Sequence, residues 1–192
     1  METELLIAKR IASKYYPLSD KGLKLLASII ERQELKKGEI FLSEGQISQH
    51  LIYLGKGLLR QFYYKNGRDI TEHFTCEGAM TFCIISVFNK EPTHLMVESL
   101  EPSTIYNIPY NALLDLADQC TDLFHLIRRI LEWSLIISQQ KADSWRFETA
   151  RERYDRFIKE YPEAAKRASV NHIASYLLMT PESLSRVRAG IL

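Results

Sequence analysis

The sequence predicts an α+β fold: an N-terminal antiparallel β-roll (a double-stranded β-helix, or jelly roll) flanked by helices, a long dimerisation helix, and a C-terminal helix-turn-helix. Three observations predict it. Between residues 34 and 108, short runs rich in Ile, Leu, Phe, Tyr and Thr alternate with glycines. Residues 121–147 form an apolar-periodic stretch free of glycine and proline. Residues 170–189 split into two short helical segments about a tight corner.

In chain order, 4–15 and 19–32 read as two helices. Leu5, Leu6, Ala8, Ile11 and Ala12 keep helical spacing, as do Leu23, Leu26, Ala27 and Ile30. Pro17 separates them, and Ser19 is placed to cap the second. The strands expected are 39–42, 51–54, 58–64, 69–74, 95–100 and 104–108, with Gly38, Gly45, Gly55, Gly57, Gly67 and Gly78 between them as turn residues. Asn66-Gly67 is the clearest hairpin turn, because a two-residue type I′ loop needs positive φ at both positions. Strands this short and closely spaced favour an antiparallel roll over a βαβ sheet.

A short helix at 111–117 precedes the long one at 121–147. There Leu123, Ile127, Ile130, Ser134 and Ile137 alternate four and three apart, a heptad-like seam that predicts a homodimer interface. Leu126, Leu131, Trp133, Leu135 and Ile136 lie off that seam, too many apolar residues for a helix facing water. A charged amphipathic helix follows at 150–161, with Tyr154, Phe157 and Ile158 inward.

The first helix of the C-terminal pair, 171–177, has Ile173, Tyr176 and Leu177 on one apolar face and a small Ala174 that permits close crossing. The second begins sharply: Thr180 caps it and Pro181 occupies the first helical position, where no donor is lost. Leu184, Val187 and Ile191 form the expected buried stripe, leaving Glu182, Ser185, Arg186 and Ala189 on the opposite face. That polar face suits a DNA major groove: Arg186 can donate twice to guanine, and Glu182 can accept from cytosine. Thr180, Ser183 and the helix N-terminus can hold a phosphate. Lys166, Arg167 and Arg188 supply weaker phosphate contacts. An ordinary amphipathic helical hairpin shares the apolar pattern.

Composition sets the limits. A chain of 192 residues, 46% hydrophobic and 26% charged, is an ordinary globular protein of one sizeable domain plus a small one. The net charge of +1 does not announce a nucleic-acid binder, but residues 164–192 carry four basic side chains and one acidic. Cys76, Cys83 and Cys120 have no Cys-x-x-Cys spacing and read as free thiols in a reducing cytoplasm. No secretory or membrane-spanning segment is expected, so the expected location is cytoplasmic.

The element order resembles the Crp/Fnr family of transcription regulators over nearly the full length. The motifs that carry the resemblance are 150–154 (ARERY) with Phe157, 161–163 (YPE), 173–177 (IASYL) and 180–186 (TPESLSR), which look like a Bacteroidetes-type variant; Gly57 to Arg60 and Phe74 to Gly78 support the roll. The resemblance implies a β-roll sensor at 1–120, a dimerisation helix at 121–149 and a DNA-binding domain at 150–192, the last without the β-hairpin wing of many relatives. It also implies a homodimer on double-stranded DNA and contact with RNA polymerase. Glu182 and Arg186 fall where cyclic-AMP-binding members place base-reading side chains, and Pro181 replaces a guanine-reading arginine.

The sensory half departs from those members. Their cassette holds Gly-Glu and, further on, an arginine for the cyclic phosphate; here Glu77-Gly78 is reversed and Thr93-His94 stands near the arginine's place. Gly78, Thr93 and His94 are therefore the effector-site candidates, for an unknown small molecule other than a cyclic nucleotide. The absence of an N-terminal cysteine cluster argues against an iron–sulfur centre, and His73, His94 and His125 lack a spacing that would support heme. No cofactor is expected. Two other functions fit parts of the sequence. A scaffold that has lost DNA binding is suggested by the wingless end and by Leu178, in a corner where glycine is usual. An enzyme would need more than the single close pair Glu72-His73 as metal ligands, and no nucleophile motif or phosphate loop is present.

Overall fold

Ser19 starts the second of two N-terminal helices as the sequence requires. In the computed structural model, which describes residues 2–191, α1 (Glu2–Lys14) and α2 (Asp20–Ser28) are joined there, and the Ser19 hydroxyl accepts from the Gly22 N–H at 3.2 Å. The chain then enters β1 (Glu31–Leu35), β2 (Ile40–Leu42), β3 (His50–Lys56), β4 (Leu59–Lys65), β5 (Arg68–Thr75) and β6 (Met80–Thr81). A short α3 (Ile84–Asn89) interrupts before β7 (Met96–Ser99) and β8 (Ser103–Pro109).

These strands make two antiparallel sheets, ordered β1-β8-β3-β6 and β2-β7-β4-β5. Their inner faces meet through Leu35, Leu42, Ile52, Leu54, Leu59, Val97 and Ile105, which fill the roll. Because strand side chains alternate, Leu51 and Tyr53 of β3 and Tyr106 and Ile108 of β8 point the other way. There they join Ile7, Ile11, Leu26, Leu123 and Leu126 in a second core under the helices. The expected hairpin turn forms with Asn66 at φ 51° and Gly67 at φ 73°. Gly57, at φ 103°, is pressed so closely on Ser103 that a Cβ would sit 2.1 Å from its hydroxyl.

Three features differ from the sequence reading. The helix expected to reach residue 32 stops at Ser28, and β1 follows. Its residues Glu31, Arg32, Gln33 and Glu34 carry no apolar signal because it is an edge strand, paired on one side only, with β8. The two-residue β6 and the helix α3 also lie in a stretch read as connection. Both are held by tertiary contacts, which no local periodicity encodes.

After α4 (Tyr110–Ala117), the long helix α5 spans Thr121–Phe147, followed by α6 (Ala150–Glu160), α7 (Pro162–Arg167), α8 (Val170–Tyr176) and α9 (Pro181–Arg188). Thr149 starts α6 with a capping box: its side chain accepts from the Glu152 N–H while Glu152 reaches back to its backbone. Among the described residues no helix is long and apolar enough to cross a membrane.

The expected dimer seam needs correction. Leu123, Ile127 and Ile130 are buried in the chain's own core, while Ser134 and Ile137 face a cavity. The large apolar residues α5 leaves exposed are Phe124, Leu135 and Ile136 along its length and Trp145 and Phe147 at its end. Phe124, Leu131 and Leu135 repeat the same rhythm one residue later, 100° around the helix.

Candidate functional site

Thr180 and Pro181 open α9 as the sequence indicated: the Thr180 hydroxyl accepts from the Ser183 N–H at 3.2 Å. Leu184 and Val187 are fully buried, and Glu182, Ser185, Arg186 and Ala189 share the exposed face. Its own backbone N–H, then the Thr180 hydroxyl, hold the Glu182 carboxyl below its ordinary range. Ser183 is half-buried, and the Ser185 hydroxyl donates back to the Pro181 carbonyl at 3.0 Å. Ile191 is not on the buried stripe. It lies beyond the helix end and is 72% exposed.

The corner between α8 and α9 explains itself in hydrogen bonds. Leu178 adopts φ 55°, its N–H donates to the Ser175 carbonyl, and the Met179 N–H donates to the Ala174 carbonyl. This is a Schellman closure. The end of α9 repeats it with Gly190 at φ 72°, Gly190 to Val187 and Ile191 to Arg186. Glycine takes the left-handed position in the second closure; a branched leucine takes it in the first.

The helical pair does not stand apart from the roll. Phe74 of β5 packs on Tyr176 (ring centroids 5.4 Å) and on Phe157 (5.8 Å), and Leu58 shares that core with Ile173, Ala174, Leu177 and Leu184. The Thr71 N–H of β5 donates to the Ser175 hydroxyl at 3.0 Å. Arg167 is gripped by the roll: its terminal nitrogens bond both oxygens of Glu77, at 2.8 and 2.7 Å, and Glu101 at 2.7 Å. That pairing holds the Glu77 carboxyl down at about 2. Arg167 is thus already committed to two carboxylates and is not a spare cation for a DNA phosphate. Lys166 pairs with Glu163 at 2.9 Å on an exposed surface, and Arg188 lies 5.9 Å from the Tyr154 ring.

A cavity of about 420 Å³ opens between the roll and α5, with β4, β5, β6 and α3 on one side and Trp133, Ser134, Ile137, Lys141 and Trp145 on the other. Of the three effector candidates it takes Thr93 and His94 and leaves out Gly78, which sits in a turn whose carbonyl accepts from Lys14. Thr93 has spent its hydroxyl on Leu95, donating to that carbonyl and accepting from that N–H. The His94 side chain is 93% exposed, at 3.7 Å from Glu44. The walls that sequence reasoning missed are Gln61, Phe82 and Lys141 together with both tryptophans. The Lys141 ammonium bonds the Glu72 carboxylate at 2.7 Å and also its carbonyl, and lies 5.3 Å from the Tyr176 ring of α8. Burial pushes Lys141 down from its ordinary value, against the pull of Glu72. Burial, then the Lys141 charge, push His73 down to about 4, so it is neutral near pH 7. Among the described residues no three His, Cys, Asp or Glu side chains gather where a metal ion could be held.

The cyclic nucleotide-binding domain family model matches residues 32–120, the roll and the cavity's roll-side wall. No curated protein matches the chain. Among solved structures it is similar to FixK2 from Bradyrhizobium japonicum, with 16% identity and a TM-score of 0.72 over 85% of this chain and 84% of that one. The global regulator CLP from Xanthomonas campestris, described as responsive to c-di-GMP, gives 14%, 0.69, 90% and 91%. The Thermus thermophilus catabolite activator protein gives 17%, 0.59, 95% and 86%. At these identities the likeness is one of fold: the chain has the cyclic nucleotide-binding fold as it occurs in Crp/Fnr-type regulators.

Proposed function

We propose that the chain is a dimeric, sequence-specific DNA-binding transcription regulator of the Crp/Fnr type, with no catalytic activity of its own, whose β-roll cavity senses a small effector. The observation that carries this reading is the outer face of α9. Its Glu182, Ser185 and Arg186 stand exposed on a helix whose opposite side is anchored by Leu184 and Val187. A capped, rigid helix with a short polar face and one guanidinium is the geometry that reads base edges. The outward Phe124, Leu135 and Ile136 support a homodimer along α5. The family likeness adds RNA polymerase as the partner on DNA.

Two-fold symmetry sets the test. Selection from a random DNA pool should enrich a palindrome with half-sites about one turn, ~34 Å, apart. No palindromic enrichment would sink the reading. A scaffold role draws support from Arg167, which is locked onto the roll rather than free for phosphate. A salt titration separates the two, since a DNA binder loses affinity steeply as salt rises.

A further inference from the structure

The cavity between the roll and α5 has a charge balance that restricts what can enter. Its one buried ammonium, Lys141, is already bound to the Glu72 carboxylate, at 2.7 Å, and to the Glu72 carbonyl. His73, beside them, is neutral near pH 7. His94 lies at the mouth, in water, with Glu44 as its neighbour. No arginine lines the cavity. An anion accepting the remaining Lys141 N–H would lie beside the Glu72 carboxylate, which already neutralises that ammonium, so its buried charge would find no net compensation. Most of the remaining wall is apolar and aromatic, with Phe82, Ile84, Leu95, Trp133, Ile137 and Trp145, and its other polar groups, such as Gln61, Thr81 and Ser134, are uncharged. The volume, about 420 Å³, is that of an ordinary small-molecule site.

We propose that this cavity binds a neutral, ring-bearing, largely apolar molecule with a hydrogen-bonding group, and not a phosphate ester or other anion. The inference rests on the reading of the roll as a sensor and gives that sensor a ligand class. Aromatic walls supply stacking area, and the Lys141–Glu72 pair offers both a donor and an acceptor to a hydroxyl without being broken. The same pair meets α8, because the Lys141 ammonium also faces the Tyr176 ring. A ligand hydroxyl there touches the seam on which the helical pair is seated.

Calorimetric titration of the full chain with naphthol, the matching naphthoate and cyclic AMP tests this. Naphthol should bind one per chain, about tenfold or more tighter than naphthoate, and cyclic AMP should give no binding heat. Glu72→Gln frees the Lys141 charge, so the preference should move toward naphthoate by about tenfold or more. Ser138→Trp, at an exposed position on the cavity rim, should block naphthol while leaving the circular dichroism spectrum unchanged. The proposal is overturned if naphthol fails to bind, if either anion binds more tightly, or if Glu72→Gln leaves the preference unmoved. Palindrome enrichment is read without any ligand, so failure of the ligand class and failure of the DNA-binding reading show up in different experiments.

Discussion

Arg167 and Glu77 stand ninety residues apart in sequence and meet through both guanidinium termini, at 2.8 and 2.7 Å. One belongs to the segment leading into the helical pair, the other to the turn after β5. Their contact, with Ser175 on Thr71 and Tyr176 on Phe74, fixes the orientation of α8 and α9 against the roll.

Breaking that clamp should loosen the seat without unfolding the roll. Arg167→Ala should remove on the order of 1 kcal/mol, since both side chains are partly solvated. Hydrogen exchange is the direct readout. Protection should fall at Thr71 and along α8, and stay unchanged in β3 and β8. Uniform loss across the roll would contradict a local clamp.

The reading face should separate into specific and general contacts. Arg186→Ala should cost roughly 1–3 kcal/mol of DNA affinity and relax one base position, whereas Lys166→Ala should weaken all sequences alike. Binding assays on a palindrome and its single-base variants distinguish the two profiles. Glu77→Gln belongs in the same assays, because it takes one of the two carboxylates from Arg167 without touching α9.

Leu178 holds a left-handed conformation at a surface position where the residue is 53% exposed. Glycine at that position loses little burial and avoids the steric penalty. Leu178→Gly should therefore raise stability by up to about 1 kcal/mol, tempered by the greater freedom of glycine in the unfolded chain. Thermal unfolding checks this, and a lowered midpoint would show that leucine contributes packing the corner needs.

His73 gives a pH signature. Its value in the folded chain, about 4, lies below the ordinary 6.5, so the unfolded chain takes up its proton first as the pH falls. The stability linked to neutral His73 is complete above 6.5 and is lost as the pH drops from 6.5 through 4. His73→Gln should flatten the dependence of the urea midpoint in that window. An unchanged slope would assign the effect to other groups.

Leu135→Glu and Ile130→Glu test the two sides of α5. Leu135 is 70% exposed and Ile130 is 1% exposed. The first should dissociate a dimer in sedimentation velocity with a change of roughly 0.5 kcal/mol or less in the fold. The second should unfold the chain, because it buries a charge in the core under the helices.

These contrasts show what was legible in the sequence. The start of α9 was plain because Thr180 and Pro181 act locally, and the hairpin at Asn66-Gly67 was plain for the same reason. Both ends of α5 were also legible from its unbroken periodicity. Which stripe of α5 faces inward was not. A second apolar stripe runs through Phe124, Leu131 and Leu135, interrupted by Arg128, and the packing of α1, α2 and the roll shows that the Leu123 stripe is the inward one. The cavity escaped for a related reason: Phe82, Lys141 and Trp145 come from distant elements, and no spacing links them. Arg167 looked like a DNA contact because its two carboxylate partners lie far away in sequence.

Trp133 and Trp145 are the only tryptophans in the chain, and both stand on the cavity wall. One meets the Tyr15 ring edge-on at 5.6 Å, and the other lies under the Lys141 ammonium at 4.6 Å. All of the protein's indole emission therefore originates at this one place. The unlabelled molecule carries its own optical gauge of whether the chamber is filled, and a shift in that light on adding a compound reports occupancy without any dye.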